Sequence, residues 1–483
     1  MGTPMNRPPT PSPRLSPQSR EAGFSLIELM IALLVMTEAL IAILMLFTSL
    51  SDVARVQTSV AEMQQTQRIA QREMFELVRN AGYGGLPITA RDIPRPLGPS
   101  VPAPGEFPDG LAIEVINNVP LGTRIAGPGS DEVVPGSDIL IVRGVFTTPI
   151  YYISPQLETR DDVGGDSDSL LDLISPGLFD LSSSGPQVET IKIEDSFNRS
   201  PFNPAGIKQD LQPLIDALED EPDRLLIARD LMNPGAYGVM QSTEIRRDLA
   251  ACGGDCIEVR VELTGQADAL AYADLMNGST LQPGVPGGHQ VDIDGTRRVA
   301  FPRHIGAIGI LDEFRFYLRA DPTRMLPQAG NLAEVPTFVL SRLSVRPGTD
   351  VQIGPRIDIA DNLLDLQVAA GIDQSPLNQL PARGQVLEDG TENDEVLFNH
   401  PMDTLPAFTA ANNSPQIQFI RITTLVHAGR PERGHQARSL LFVEDSDRSG
   451  TFSVAGVSFN YNTGMAPYRR RLMSTVVDLR NVQ

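Results

Sequence analysis

The chain has 483 residues, which is enough for one large domain or for two. It carries 39 basic and 60 acidic side chains, for a net charge of −21 at pH 7. Because phosphates repel such an acidic chain, a nucleic-acid-binding function is not expected.

The chain begins with a proline-rich leader that precedes a long apolar run. Arg7, Arg14 and Arg20 lie in the leader, and no lysine or arginine follows until Arg55. The apolar run, residues 24–50, is long enough to cross a hydrocarbon core of about 30 Å as a helix. Because basic residues favour the cytoplasmic side of a membrane, we expect the leader in the cytoplasm and the bulk of the chain outside.

Two acids interrupt the apolar run, Glu28 near its start and Glu38 near its middle. A charged side chain costs about 2.5–3.5 kcal/mol at the centre of a bilayer, so each acid needs a partner. Glu38 lies about 80° from Glu28 around a helix, because each residue adds about 100°. Glu38 either contacts another subunit or the assembly machinery or, as we favour, stays protonated and hydrogen-bonded within the membrane or a helix bundle.

The segment from Arg20 through Gly23 and Phe24 to Glu28 resembles the class III signal of type IV prepilins and pseudopilins. The resemblance implies that a prepilin peptidase cuts between Gly23 and Phe24 and methylates the new N-terminus. It also implies that Glu28 meets the N-terminal ammonium of a neighbouring subunit, a pairing that apolar surroundings strengthen. A secretory signal peptide would instead be cleaved after its apolar run, and a plain signal anchor would not need Glu28.

The helix is predicted to continue beyond the membrane. Mostly apolar residues recur at three- and four-residue steps and predict one buried stripe, made of Val53, Val56, Val60, Met63, Gln67, Ala70, Met74 and Leu77. Polar side chains, among them Gln71, fill the other faces, and a glycine-rich stop begins at Gly82. We therefore predict one helix over 24–82, with 24–50 in the membrane and the second half packed on a globular head. A coiled coil is the alternative for the stripe.

The remainder, residues 83–483, is predicted as a head of short strands separated by long segments. Strands are expected at 137–143, 223–228, 256–263, 314–318, 338–343, 416–426, 438–443 and 472–479. Long loop insertions are expected near 88–135, 156–222, 265–297 and 374–405, where turn-forming, acidic or polar residues accumulate. Because the strands lie far apart in the sequence, the sheet is expected to be antiparallel or mixed.

The two cysteines of the chain, Cys252 and Cys256, both follow the apolar run. In an oxidising compartment they are expected to form one small-loop disulfide. Zinc is the weaker interpretation, because a Cys-x-x-x-Cys pair without a second pair of ligands is a poor zinc site.

One acidic turn has part of a calcium-binding pattern. Asp445, Asp447 and Ser449 place oxygen side chains at alternate positions before a glycine, as in the first half of a calcium loop. Gly456 stands where an EF-hand has its final glutamate, so we favour an acidic β-turn between strands, with calcium as the alternative. The five histidines are scattered and catalytic motifs are lacking, so we expect neither an enzymatic activity nor a cofactor.

Five segments resemble the PilW family of minor pilins, namely 79–85, 137–143, 361–373, 420–426 and 468–481. The resemblance implies an α+β, type IV pilin-like fold with an antiparallel β-sheet head on the long helix. It also implies a minor pilin that primes type IV pilus assembly and sits in the tip complex, supporting adhesion and twitching motility. The implied partners are other minor pilins, the major pilin, a tip adhesin, the prepilin peptidase and the inner-membrane assembly platform. The precursor would lie in the inner membrane with its head in the periplasm, and the mature protein at the extracellular pilus tip.

Two other functions stay open. A type II secretion pseudopilin similar to the J component would share the processing but build a short periplasmic fibre. A surface-anchored enzyme or carbohydrate-binding module would use the same helix as a carrier, and a deep pocket with clustered polar groups would indicate it.

Overall fold

A computed structural model describes residues 25–84, 112–116, 119–125, 132–153, 156–157, 173–174, 188–197, 207–230, 237–247, 256–262, 281–285, 288–293, 297–301, 305–328, 334–347, 351–373, 395–398, 416–432, 435–436, 451–454, 457–460 and 465–479. The helices are α1 (Leu26–Arg79) and α2 (Gln212–Asp220). The first strands are β1 (Ile113–Ile116), β2 (Ile139–Gly144), β3 (Tyr151–Tyr152), β4 (Gln156–Leu157), β5 (Leu173–Ile174), β6 (Val188–Glu194), β7 (Ser196–Phe197), β8 (Ile207–Lys208), β9 (Leu225–Asp230), β10 (Tyr237–Arg246), β11 (Cys256–Glu262) and β12 (Leu281–Val285). The later strands are β13 (Gly288–Ile293), β14 (Arg297–Phe301), β15 (Ile305–Ile310), β16 (Asp312–Leu326), β17 (Val335–Val345), β18 (Ile357–Asp361), β19 (Leu363–Asp373), β20 (Glu395–Phe398), β21 (Gln416–His427), β22 (Thr451–Val454), β23 (Val457–Asn460) and β24 (Arg470–Asp478).

The first helix, α1, has 54 residues, and at about 1.5 Å per residue it is about 80 Å long. It ends because the chain turns at Gly82, whose φ of 74° suits a residue without a side chain. The N–H of Gly82 then donates to the carbonyl of Arg143 at 3.0 Å, so the turn is fixed to the end of β2. The stop predicted at the glycines is therefore confirmed, with the last helical turn ending at Arg79.

The strands pair in separate antiparallel sheets. A five-stranded sheet has the order β1-β2-β16-β17-β18, a six-stranded sheet the order β3-β15-β9-β10-β11-β6, and a four-stranded sheet the order β20-β19-β21-β24. Smaller groups are β12-β13-β14, β22-β23, β4-β5 and β7-β8. Every strand pair in the described ranges is antiparallel, which confirms an α+β protein with a long apolar helix and antiparallel sheets.

The chain passes from the five-stranded to the four-stranded sheet at a single residue. Asn362 lies between β18 and β19 and has a φ of 61°, a left-handed conformation that asparagine tolerates better than most residues. Its carbonyl accepts a hydrogen bond from the N–H of His427 at 3.0 Å. The expected single sheet is thus divided, because this turn sends the two consecutive strands into different sheets.

The six-stranded sheet packs against the short helix α2 in an apolar core. Leu214 and Leu218 of α2 pack there with Ile191 and Ile193 of β6. Both elements lie within 156–222, so the expectation of a loop insertion is wrong for that part of the segment. Ile191 and Ile193 alternate with the polar Lys192, a pattern that predicts a strand with one buried face. Shorter strands also occur in the other expected insertions: β1 within 88–135, β12 and β13 within 265–297, and β20 within 374–405.

The C-terminal part of α1 packs on the head through polar as well as apolar groups. Its buried residues are Met63, Gln67, Ala70, Gln71, Met74 and Val78. The amide of Gln67 donates to the carbonyl of Arg471 at 2.9 Å, and that of Gln71 to the carbonyl of Met473 at 3.2 Å. Both acceptors lie on β24, an edge strand of the four-stranded sheet, so the two amides occupy backbone carbonyls at the sheet edge.

The predicted helix stripe differs from the structure at several positions. Val53, predicted to be buried, is 50% exposed, and Val56 and Val60 are only partly buried. Gln71 was predicted on the polar face but is 5% exposed. Its amide nitrogen donates to the carbonyl of Met473, and its amide oxygen accepts from the hydroxyl of Thr475, both on β24. Leu77 was predicted on the buried stripe but is only partly buried, and Val78 takes the buried position instead. The predicted strands are found with shifted ends, except that 438–443 lies outside the described residues.

Candidate functional site

The N-terminus of α1 is closed by a pair of reciprocal hydrogen bonds. The N–H of Ser25 donates to Oε2 of Glu28 at 3.0 Å, and the N–H of Glu28 donates to Oγ of Ser25 at 3.2 Å. This is a capping box, in which two helix N–H groups that lack backbone partners are satisfied by side chains. The carboxylate of Glu28 therefore has a partner within its own chain and is directed towards the start of the helix.

The surface of α1 that follows the capping box is apolar on all sides. Exposed fractions reach 76% at Leu26 and 70% at Phe47, and Glu28 and Glu38 are the only charged residues between 25 and 51. The hydroxyl of Thr37 donates to the carbonyl of Leu33 at 2.7 Å, so this polar group is satisfied inside the helix. By length and composition, α1 is a helix able to cross a membrane.

The two acids of this segment differ in their surroundings. Glu28 takes part in the capping box, whereas Glu38 has no hydrogen-bond or ion-pair partner within the described part of the chain. Both are exposed on the isolated helix. An acid at the first turn of a helix is also stabilised by the helix dipole, a benefit that Glu38 does not share.

The other predicted site residues are only partly within the described ranges. Gly23 and Phe24, the predicted processing site, lie outside the described residues. So do Asp445, Asp447 and Ser449 of the predicted calcium turn. Cys256 begins β11 and is disulfide-bonded, while Cys252, the other cysteine of the chain, lies outside the described residues.

The head contains a buried charge cluster that sequence reasoning missed. Nε of the fully buried Arg143 donates to Glu313 at 2.7 Å, and its Nη2 donates to Glu114 at 2.7 Å. Nε of Arg315 donates to the second oxygen of Glu313 at 2.8 Å. Burial alone would raise the pKa of Glu313, but the two guanidinium groups hold it below its ordinary value. The cluster thus links β1, β2 and β16 through charges.

A buried imidazole lies on the four-stranded sheet. Nδ1–H of His427 donates to the carbonyl of Ala428 at 2.7 Å, which makes Nε2 the unprotonated nitrogen. Its ring meets that of Tyr468 edge-on, with 5.3 Å between centroids. The pKa of His427 is lowered to about 4, chiefly by burial and to a smaller extent by the nearby Arg470, while the bond to Ala428 opposes both effects. The ring is therefore neutral at physiological pH.

Within the ranges that the structure describes, no group of three or more His, Cys, Asp or Glu side chains is placed to hold a metal ion. The arrangement best suited to a specific interaction is instead the helix itself. It combines an uncovered apolar surface with one oriented carboxylate at its first turn.

A family model for the prokaryotic N-terminal methylation motif matches residues 18–37. The matched range includes Gly23, Phe24 and Glu28. No curated protein and no solved structure matches the chain. The chain thus carries the signal of a pilin-like or pseudopilin-like protein, which implies processing by a prepilin peptidase and assembly with other pilins, and which fits a membrane-anchored precursor.

Proposed function

We propose that this protein is a minor pilin of the PilW type, which primes type IV pilus assembly and sits in the tip complex. The observation that carries the proposal is the methylation motif at residues 18–37 on an apolar helix with an oriented acid, Glu28. The helix leaves the bilayer by packing against similar helices, since only these bury its whole apolar circumference. Other minor pilins, the major pilin and a tip adhesin are the partners we infer, and the protein itself is not an enzyme.

Glu28 sets the register of the helix among its neighbours. Once Phe24 is the N-terminus, its ammonium is a cation in apolar surroundings, and a carboxylate of an adjacent subunit is its natural partner. The pairing is satisfied at one axial offset, so it selects that offset over others. Ser25 contributes by holding the carboxylate at the helix start through the capping box.

The size of the head favours a place at the tip. Residues 61–483 form one compact unit, which is far larger than the helix that carries it. A bulky head obstructs the addition of further subunits above it, whereas a tip position requires no subunit there. Adhesion and twitching motility follow from this position, with the precursor in the inner membrane and its head in the periplasm.

The test compares Glu28→Ala with Ser25→Ala in cells. Both variants break the capping box, but only Glu28→Ala removes the carboxylate that pairs with the neighbouring ammonium. We expect Glu28→Ala to abolish recovery of the protein in sheared fibres, while Ser25→Ala retains most of it. Immunoblots of sheared fibres and of membranes measure the two pools, and mass spectrometry of the N-terminus reports cleavage and methylation.

The outcomes separate the possible functions. Equal fibre incorporation of wild type and Glu28→Ala would contradict the pairing. Equal loss in both variants would show that helix capping, and not the intersubunit pair, is what Glu28 supplies. Co-purification with secretion-channel components instead of pilus subunits would identify a type II secretion pseudopilin.

A further inference from the structure

A cleft of about 500 Å³ opens beside the C-terminal end of α1, within the size range of small-molecule sites. Glu73, Glu76 and Asn80 line it on the helix side. Tyr83 of the following turn and Phe146 lie at its wall. None of its lining residues lies in the range 18–37, which carries the methylation motif.

The walls of the cleft are held by hydrogen bonds. The N–H of Tyr83 donates to the carbonyl of Asn80 at 3.0 Å, and the carbonyl of Tyr83 accepts from the N–H of Val145 at 2.8 Å. The N–H of Phe146 donates to the carboxylate of the buried Asp312 at 2.9 Å. These bonds fix the backbone at both aromatic residues before any ligand arrives, which lowers the entropy cost of binding.

The lining of the cleft includes both hydrogen-bond donors and acceptors. Arg342 contacts Glu73 in an ion pair, and its guanidinium lies 4.9 Å from the ring centroid of Phe314. A guanidinium has five N–H donors and a carboxylate about four acceptor positions, so both groups have capacity beyond their mutual contact. The amide nitrogen of Asn80 donates to the carbonyl of Glu76 at 2.9 Å, which leaves the amide oxygen as a further acceptor.

Both acids of the cleft are paired with a guanidinium. Glu73 contacts Arg342 within the lining, and Glu76 contacts Arg72, which lies outside the lining, at 3.0 Å. Because each carboxylate already has a cationic partner, the cleft attracts neither anions nor cations strongly, and it suits a neutral ligand with many hydroxyl groups. The hydroxyl of Thr148, a lining residue that is 8% exposed, has no hydrogen-bond partner among the described residues and indicates a further place for a hydroxyl group or a bridging water.

We propose that this cleft binds a neutral saccharide unit. The ring of Tyr83, which is 46% exposed, packs against the C–H face of the sugar. Glu73 and Asn80 accept hydrogen bonds from its hydroxyl groups, and Arg342 donates to them. The proposal concerns the head alone and does not depend on assembly of the helix into a fibre.

The test is saturation-transfer difference NMR on the full chain in lipid nanodiscs, prepared without glycoside detergents. D-galactose, D-glucose, D-mannose and N-acetyl-D-glucosamine are the sugar probes, and L-arginine methyl ester is the cationic comparison. Tyr83→Ala is the site variant. Tyr152→Ala is the matched control, because Tyr152 is 38% exposed and does not line the cleft.

We expect at least one sugar to bind at millimolar concentration, and its Kd to rise about tenfold or more in Tyr83→Ala but not in Tyr152→Ala. Glu73→Gln, which keeps the shape of the side chain, is the second site variant and should weaken binding of the same sugar. It keeps the test decisive if Tyr83→Ala disturbs folding. The proposal is overturned if no sugar binds, if Tyr83→Ala and Glu73→Gln bind as wild type does, or if only the arginine ester binds.

Discussion

Acidification should destabilise the head through His427, and the size of the effect follows from the structure. The pKa of His427 is lowered from 6.5 to about 4, because the ring is buried. As the pH falls below about 6.5, the unfolded chain takes up the proton first, and the folded state loses stability until the pH passes about 4. Linkage of these two pKa values gives a loss of about 2 kcal/mol between pH 8 and pH 5, rising to about 3 kcal/mol at pH 4.

Carboxyl groups with shifted pKa values also make the stability depend on pH, so the measurement must isolate the imidazole. The pKa of Asp358 is lowered chiefly by its hydrogen bond with Arg319, against the effect of burial, and its contribution is also lost as the pH falls. The pKa of Asp312 is raised by burial, so its contribution runs in the opposite direction. Both carboxyl groups contribute equally in wild type and in His427→Gln. Their contributions therefore cancel in the difference between the two free energies of unfolding.

The assay is urea unfolding of the full chain, followed by circular dichroism because the chain contains no tryptophan. The stability difference between wild type and His427→Gln should move by about 2 kcal/mol in favour of the variant between pH 8 and pH 5. Parallel pH curves for the two proteins would refute the reasoning, since they would mean that the buried ring titrates as it does in the unfolded chain.

Four further outcomes are expected. Gly309→Ala should destabilise the head by about 1–3 kcal/mol, because the new Cβ would lie 2.6 Å from Cγ2 of Val145. Adding Val145→Ala in the same chain should recover part of the loss, and simple addition of the two losses in urea unfolding would contradict the clash. Arg143→Met should cost about 3–5 kcal/mol in the same assay, since it leaves two buried carboxylates without their shared partner, and a loss below about 1 kcal/mol would show that the cluster is dispensable. A bulky residue in place of Gly23 should leave the uncleaved precursor in membranes, and normal processing seen by mass spectrometry would rule out the class III signal. A chelator should leave the melting temperature almost unchanged if the turn at Asp445 is a plain β-turn, whereas a large drop would favour calcium.

Local patterns in the sequence were sufficient for α1. Its apolar run and the glycine stop at Gly82 depend on neighbouring residues, so the helix and its end could be predicted. The capping box was equally accessible, since Ser25 and Glu28 have the Ser-x-x-Glu spacing that defines it.

Contacts between distant segments could not be predicted in the same way. Gln71 belongs to the polar residues of the helix by type, and its burial depends on carbonyls of β24 about 400 residues later. In the sequence alone, Arg143 is the charged end of an apolar strand. Its burial depends on Glu313, 170 residues away, which lies opposite to it on β16. In both cases a polar side chain is buried because the fold supplies its partner.

The glutamines on α1 also determine where the chain can be shortened. A truncated protein that begins at Ala61 keeps Gln67 and Gln71 and therefore keeps the carbonyls of β24 occupied. One that begins after Arg79 would expose those carbonyls on an edge strand that also presents Leu472 and Val476 to solvent. Such a surface invites strand-to-strand association between copies, so self-association of the shorter protein is a hazard that the longer one avoids.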